Sequence, residues 1–242
     1  GLNKYLFEMV NIRNQDSWVH RYNPDIATKK AKELVRMAVQ KVALKEPLKE
    51  TELDINQTAL VIGGGISGMT AALSLSGQGF ETHLLERDAD LGGQARNLYK
   101  TWKGEDIQAL LSEMTGKVKN EKNIHVHLNT RLGNVEGFVG NFKSTLCSNG
   151  AEEPIEHGVA VVATGAWEYK PNEYLYGSDP RIVTGLELDR MFIADDSALQ
   201  KAETAVFIQC VGSREPDRPY CSRVCCTHSI ESAMEFKRRN PE

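Results

Sequence analysis

No apolar run in this sequence approaches the ~20 residues that a membrane-spanning helix needs. No charged and then apolar leader with a small-residue cleavage site opens it. Basic charge is not in excess either. The 29 Lys and Arg stand against 33 Asp and Glu, a formal net charge of −4, which argues against the counterion-displacing surface of a non-specific nucleic-acid binder. Repeats and low-complexity tracts are lacking. An initiator Met is lacking too: the 242 residues run from Gly1 to Asn240-Pro241-Glu242 and read as an excerpt of something longer. What is there is ordinary for a globular protein, with 40% hydrophobic and 26% charged residues, and this excludes a mostly disordered chain. A soluble, cytoplasmic protein with no membrane span is expected. Cysteine is scarce and odd in number, with Cys147 alone and Cys210, Cys221, Cys225 and Cys226 crowded into 17 positions. Without a secretory leader, a disulfide framework is disfavoured and metal or redox chemistry is left open.

Along the chain, residues 1–57 form an N-terminal helical segment and linker. Asn23 is placed as an N-cap before Pro24. Ile26, Ala31, Leu34, Val35, Ala38 and Val42 recur at helical spacing up to Pro47. From Thr58 the pattern alternates between strands and helices, which predicts an α/β fold. Strands are expected at 59–62, 81–85, 124–128 and 159–162, helices at 66–76 and 107–118, and a hairpin over 132–146. Residues 58–170 make the first domain, and 171–242 begin a second parallel α/β unit with a strand at 205–208 and a helix from Cys225 to Arg238.

Gly63-Gly64-Gly65-Ile66-Ser67-Gly68 fits the G-x-G-x-x-G fingerprint in its proper context, after a strand and before a helix. Gly63 permits the tight turn, Gly65 lets a pyrophosphate approach bare backbone, and Gly68 permits close helix–strand packing, with Ala72 one turn later. The N–H groups of Ile66 and Ser67 open the helix and favour negative charge. Glu86, 21 residues after Gly65, ends the second strand where ribose hydroxyls would meet it, and its charge disfavours the 2′-phosphate of NADP. Leu91-Gly92-Gly93-Gln94-Ala95 and Ala163-Thr164-Gly165 come next, in the order and spacing of flavoprotein reductases of the thioredoxin-reductase and glutathione-reductase type, which they resemble. That resemblance implies FAD on a Rossmann-like domain of thioredoxin-reductase type. Arg87 beside Glu86, Arg96 beside the glycine pair, and Leu132 complete the candidate cofactor set.

The second unit carries thiols where a second glycine loop is expected. Gln209-Cys210-Val211-Gly212-Ser213-Arg214 lacks two glycines of that loop, and Cys221-Ser222-Arg223-Val224-Cys225-Cys226 opens the next helix. Four thiolates suit zinc or a [4Fe–4S] cluster. Spacings of 11, 4 and 1 are not the paired knuckles of a zinc site and favour the cluster. Arg214, Arg218, Arg223 and His228 would stabilise its negative charge. A redox dithiol serving an NAD(P)H–disulfide reductase, a structural zinc on a flavin-binding scaffold, and inert buried cysteines are the alternatives. Cys147 reads as packing. His125 and His127 share a strand face and could pair on a metal, although core or surface histidines are the plainer reading.

The chain as a whole resembles the A subunits of heterodisulfide reductases, known from methanogens and some sulfate-metabolising microbes. The resemblance runs through Asn11-Ile12-Arg13, Ser17-Trp18-Val19-His20, residues 31–39, Val61-Ile62-Gly63-Gly64-Gly65 and Val139-Gly140-Asn141-Phe142. It is most specific at Gln209–Arg214 and Tyr220–Cys226. It implies FAD and a [4Fe–4S] cluster held by Cys210, Cys221, Cys225 and Cys226, in an oxidoreductase complex of methanogenesis that performs electron transfer and flavin-based electron bifurcation. The implied partners are disulfide-reducing subunits, a hydrogenase or dehydrogenase, and ferredoxin, with self-association also compatible. The family commonly has a Cys between Arg13 and Ser17, and Asp16 stands in that region here. The family's N-terminal cluster domain, ferredoxin-like modules and returning half of the flavin domain are not found in this stretch, so a fragment covering the flavin-binding region is expected.

Overall fold

In the computed structural model, which describes residues 1–241, the chain divides into two compact units, Gly1–Leu53 and Asp54–Glu242. In the first unit, helix α1 spans Pro24–Ala43 with Pro at its first turn, where a missing N–H costs nothing. It stops before Pro47, and one stripe (Ala27, Ala31, Leu34, Ala38, Val42) is half-buried while no residue is fully so. Glu8 ties the preceding segment down through Lys41 and Lys45, and these two ammonium groups hold its carboxyl below the usual range. A π-helical turn at Arg13–Ser17 buries Asp16, whose Oδ1 has no hydrogen-bond partner among the described residues.

The second unit is built on a parallel sheet. Strands β1 (Ala59–Ile62), β2 (Thr82–Leu85), β3 (Ile124–His127) and β7 (Val159–Val162) lie in the order β3-β2-β1-β7. Helices α2 (Ile66–Gly77) and α3 (Ile107–Asn120) cover one face. The other face carries an antiparallel meander of β4 (Thr130–Phe138), β5 (Asn141–Ser148) and β6 (Ala151–His157). The expected hairpin over 132–146 is thus longer by a strand and turns at Gly140 and Gly150, both at positive φ. Strand alternation assigns the cores. Val61 and Leu84 enter the helix side with Met69, Ala72, Leu111 and Ile124. Leu60 and Leu85 enter the meander side with Leu146 and Ile155. Both faces of β1 and β2 are therefore covered, which is why these strands read as continuous apolar runs. Each such fully buried Leu contributes about 2 kcal/mol.

Two expectations are corrected. Val159–Val162 is not a buried strand: it is the sheet edge, and Val162 is 73% exposed, because no described strand pairs its outer side. Ala205–Ile208 has the composition of a strand but no ladder partner among the described residues, and Val206 is 80% exposed. A β-strand exists only through a neighbour's hydrogen bonds. Beyond β7 the regular structure is helical. Helix α4 (Gly185–Ile193) starts with a capping box of Thr184 and Glu187, then come α5 (Ser197–Lys201) and α6 (Cys225–Arg239).

Burial pushes the imidazoles of His83, His127 and His157 below the ordinary histidine range, helped at His83 by the charges of His127 and His125. Each folded-state pKa is depressed, so the unfolded chain takes up protons first as pH falls. Stability is full above about pH 6.5 and declines below it. Urea unfolding is expected to show a lower midpoint at about pH 5 than at about pH 7.5, with a smaller gap in His83→Gln; equal midpoints would remove this account.

Candidate nucleotide site and cysteine segment

The end of β1 has little room. Gly63, at φ +111°, donates its N–H to Leu85 O at 2.8 Å, and a Cβ there would lie 2.4 Å from Ala163 O. A Cβ on Gly68 would lie 1.8 Å from Gly63 O. Only glycine fits at either position, so α2 can start directly against the strand. Gly65 is different: a Cβ there would meet nothing within 4 Å, and no side chain caps the first turn of α2. The N–H groups of that turn, those of Ile66 and Ser67 among them, are left for a ligand.

Glu86, buried at the end of β2, holds the turn. Its Oε2 accepts from Gly64 N–H at 2.9 Å and its Oε1 from Asp88 N–H at 2.9 Å. Each carboxylate oxygen keeps a second lone pair. The second glycine pair is pressed onto the first: Gly92 N–H donates to Gly64 O at 2.8 Å, and a Cβ on Gly93 would lie 3.2 Å from Gly65 Cα. Gln94 donates to Ala166 O at 3.3 Å and Arg96 to Asp88 Oδ2 at 3.0 Å. Ala163 N–H donates to Ile62 O at 2.8 Å, and Thr164 and Gly165 turn the chain away from β7 with Gly165 at φ +67°.

The candidates Gly63, Gly65, Ile66, Ser67, Gly68, Glu86, Gly92, Gly93, Gln94 and Ala163–Gly165 therefore gather at the carboxyl ends of β1, β2 and β7, where open α/β sheets take their ligands. Arg87 stacks its guanidinium 4.0 Å from the centre of the Trp167 ring. Leu132 lies elsewhere, in the core between sheet and meander. Sequence reasoning overlooked Trp167 and Asp88. The one signal for Trp167 was its place two residues after Gly165.

Cys210, Cys221, Cys225 and Cys226 are all exposed. Among the described residues no three metal-capable side chains converge, so the segment as folded is not a formed [4Fe–4S] or zinc site. Its backbone is curled by left-handed residues at Cys210, Arg214 and Arg223, and Arg223 N–H donates to Cys221 Sγ at 3.4 Å. Two of the expected basic neighbours are engaged elsewhere. Arg218 stacks on Tyr169 and pairs with Glu215, and His228 pairs with Asp189 at 3.0 Å. Buried Asp189 also accepts Tyr99 N–H at 2.9 Å, and its hydrogen bond raises the His228 pKa. Further along α6, Glu235 pairs with Arg239 and reaches Lys100. The helix is thus anchored along its length while its cysteine-bearing start stands free. Cys147 sits against Gly133 on β4, consistent with packing.

A parallel sheet, a glycine turn whose middle residue faces open space, and a buried terminal carboxylate define a Rossmann-like nucleotide-binding unit. The family model for an NAD(P)-binding Rossmann-like domain matches residues 61–107. The chain is a relative, along its whole length, of the A subunits of heterodisulfide reductases, a family of oxidoreductases. It is 33% identical to the A subunit of the H2:CoB-CoM heterodisulfide, ferredoxin reductase of Methanothermobacter marburgensis, covering 100% of this chain and 50% of that one. It is 32% identical to the second iron-sulfur A subunit of the CoB–CoM heterodisulfide reductase of Methanopyrus kandleri, covering 100% and 51%. The chain spans about half the length of these curated relatives. Thioredoxin reductase of Lactococcus lactis superposes with TM-score 0.41 at 23% identity, over 50% of this chain and 41% of that one. No described helix is long and apolar enough to cross a membrane.

Gly68→Ala drives a Cβ into the Gly63 carbonyl and is expected to cost about 2–3 kcal/mol, whereas Gly65→Ala meets open space and is expected to stay within about 1 kcal/mol of the parent. Thermal melting of the two variants checks this; equal losses would contradict the packing described.

Proposed function

We propose that this chain is the flavin-binding part of a heterodisulfide-reductase-like A subunit, with FAD held at the Gly63–Gly68 turn. The observation that carries the reading is the contrast between Gly65, where a Cβ would meet open space, and Gly63 and Gly68, which are packed to contact. A pyrophosphate would lie against Gly65 and the uncapped N–H groups of Ile66 and Ser67. Glu86, already fixed by Gly64 and Asp88, would accept ribose hydroxyls through its remaining lone pairs. Gly92, Gly93 and Gln94 would let backbone run beside the extended cofactor, and Ala163, Thr164 and Gly165 would close the opposite wall. Arg87 and Arg96 would add positive charge at the rim. Leu132, half-buried on β4 against the core between sheet and meander, would support the wall. Bound FAD supplies two-electron chemistry that can also proceed one electron at a time.

The segment with Cys210, Cys221, Cys225 and Cys226 is proposed as the iron–sulfur-binding part of the holoprotein. Support comes from its four free, exposed thiols and from the iron-sulfur protein named among the relatives. Among the described residues the sulfurs are not gathered as the chain stands. The second domain, from about residue 171, would then serve chiefly to present this segment. Electron transfer with other subunits, ferredoxin among them, flavin-based bifurcation in the assembled complex, and a cytoplasmic setting complete the proposal. The unpaired outer edge of β7, with Val159 and Val162 exposed, offers a ladder to which further structure can add.

Anaerobic purification with flavin, iron, sulfide and zinc quantified tests both parts. Flavin at about one per chain is expected, lost in Gly65→Val at unchanged melting temperature; flavin retained by that variant, or absent from the parent after reconstitution, refutes the site. Iron and sulfide lost in Cys225→Ser support the cluster. Stoichiometric zinc, or two thiols titrating with no metal, replace it with the scaffold or the dithiol.

A further inference from the structure

On the sheet face turned toward the meander, three imidazoles stand together. His83 on β2 is the ladder partner of His125 on β3, and His127 is two residues further along that strand, so all three point the same way. The His83 ring centre lies 5.0 Å from that of His125 and 5.1 Å from that of His127. His83 Nδ1 and His127 Nε2 share a hydrogen bond of 2.9 Å. The nucleotide site uses none of these side chains.

Two ring nitrogens facing each other at this distance are a small rotation short of the ~3.3 Å that separates two ligands on a tetrahedral zinc ion with bonds of ~2.05 Å. The neutral imidazole is the form that ligates. A third donor is at hand on β6. Glu153, the ladder partner of Leu146, stands on the face of β6 turned toward the sheet and, with His127, lines a cavity of about 280 Å³ that Thr130 and Ser148 also border. His125 is engaged differently, its Nε2 lying 3.0 Å from Glu81 Oε1.

We propose that His83, His127 and Glu153 form a site for a divalent transition metal, with solvent or a small anion from the cavity in the fourth position. Two imidazoles and a carboxylate suit zinc and its spectroscopic substitute cobalt, whereas magnesium and calcium prefer all-oxygen sets. Among the described residues no three His, Cys, Asp or Glu side chains are placed to hold a metal ion. Binding therefore requires the exposed Glu153 side chain to swing toward His127 and the two rings to exchange their mutual hydrogen bond for metal bonds. The ion would bridge β2 and β3 to β6, pinning the meander to the parallel sheet.

Cobalt(II) binding, read by visible absorption and calorimetry, tests this on the full chain with Cys210, Cys221, Cys225 and Cys226 changed to Ser so that sulfur does not compete. One ion per chain is expected. His83→Ala and His127→Ala should weaken binding by more than about tenfold, Glu153→Gln by about tenfold, and His125→Ala by less than about twofold. The parent should melt at a higher temperature with zinc than without, and the Glu153→Gln variant should lose that rise. If a histidine variant fails to fold, Glu153→Gln against His125→Ala decides alone. No binding, binding of equal strength in all variants, or a loss in His125→Ala matching that in Glu153→Gln would overturn the site.

Discussion

The close approach of α2 to β1 governs everything at the open end of the parallel sheet. Gly68 has no space for a Cβ against the Gly63 carbonyl, and Gly63 has none against Ala163. With the strand, the helix start and the Ala163–Gly165 turn locked at contact distance, the first N–H groups of α2 can point only outward. The Glu86 carboxylate, buried and bonded to Gly64 and Asp88 N–H groups, fixes the remaining freedom of the turn. The orientation of the N–H groups at the start of α2 is thus set by packing.

The cysteine segment obeys the opposite logic. Its four side chains are exposed rather than packed. The protein instead anchors the body of α6, through the Asp189–His228 pair and the Glu235–Arg239 pair, and leaves Cys225 and Cys226 exposed at its start. In each pair a buried carboxylate meets a half-buried partner, so the contacts fix where the helix sits even though they add little net stability. The histidine row lies between these extremes. Two of its rings, those of His83 and His127, are half-buried and share a hydrogen bond of 2.9 Å.

The two faces of the parallel sheet divide the labour. Val61 and Leu84 face the helices, while Leu60 and Leu85 face the meander, so one four-residue strand serves two cores. This double coverage makes the sheet rigid enough to position the glycine turn. The outer strand β7 lacks it, and there the apolar residues stand in solvent.

The Rossmann-like unit was legible in the sequence because its signals are local. A short β-branched run, glycines at fixed offsets and a terminal acid each act within a few residues of where they stand, and the helices around them fell within two residues of expectation. The edge position of β7, the third strand of the meander and the absence of a ladder at Ala205–Ile208 were not legible, because apolar composition states what can pair and not which neighbour is present. The same holds for the sites. Gly63 and Gly68 could be named from spacing, since backbone sterics alone demand them. The meeting of His83 with His127 across two strands, the stacking of Arg87 on Trp167 and the dispersal of four cysteines depend on strand register and loop path, and these are set only when distant segments pack.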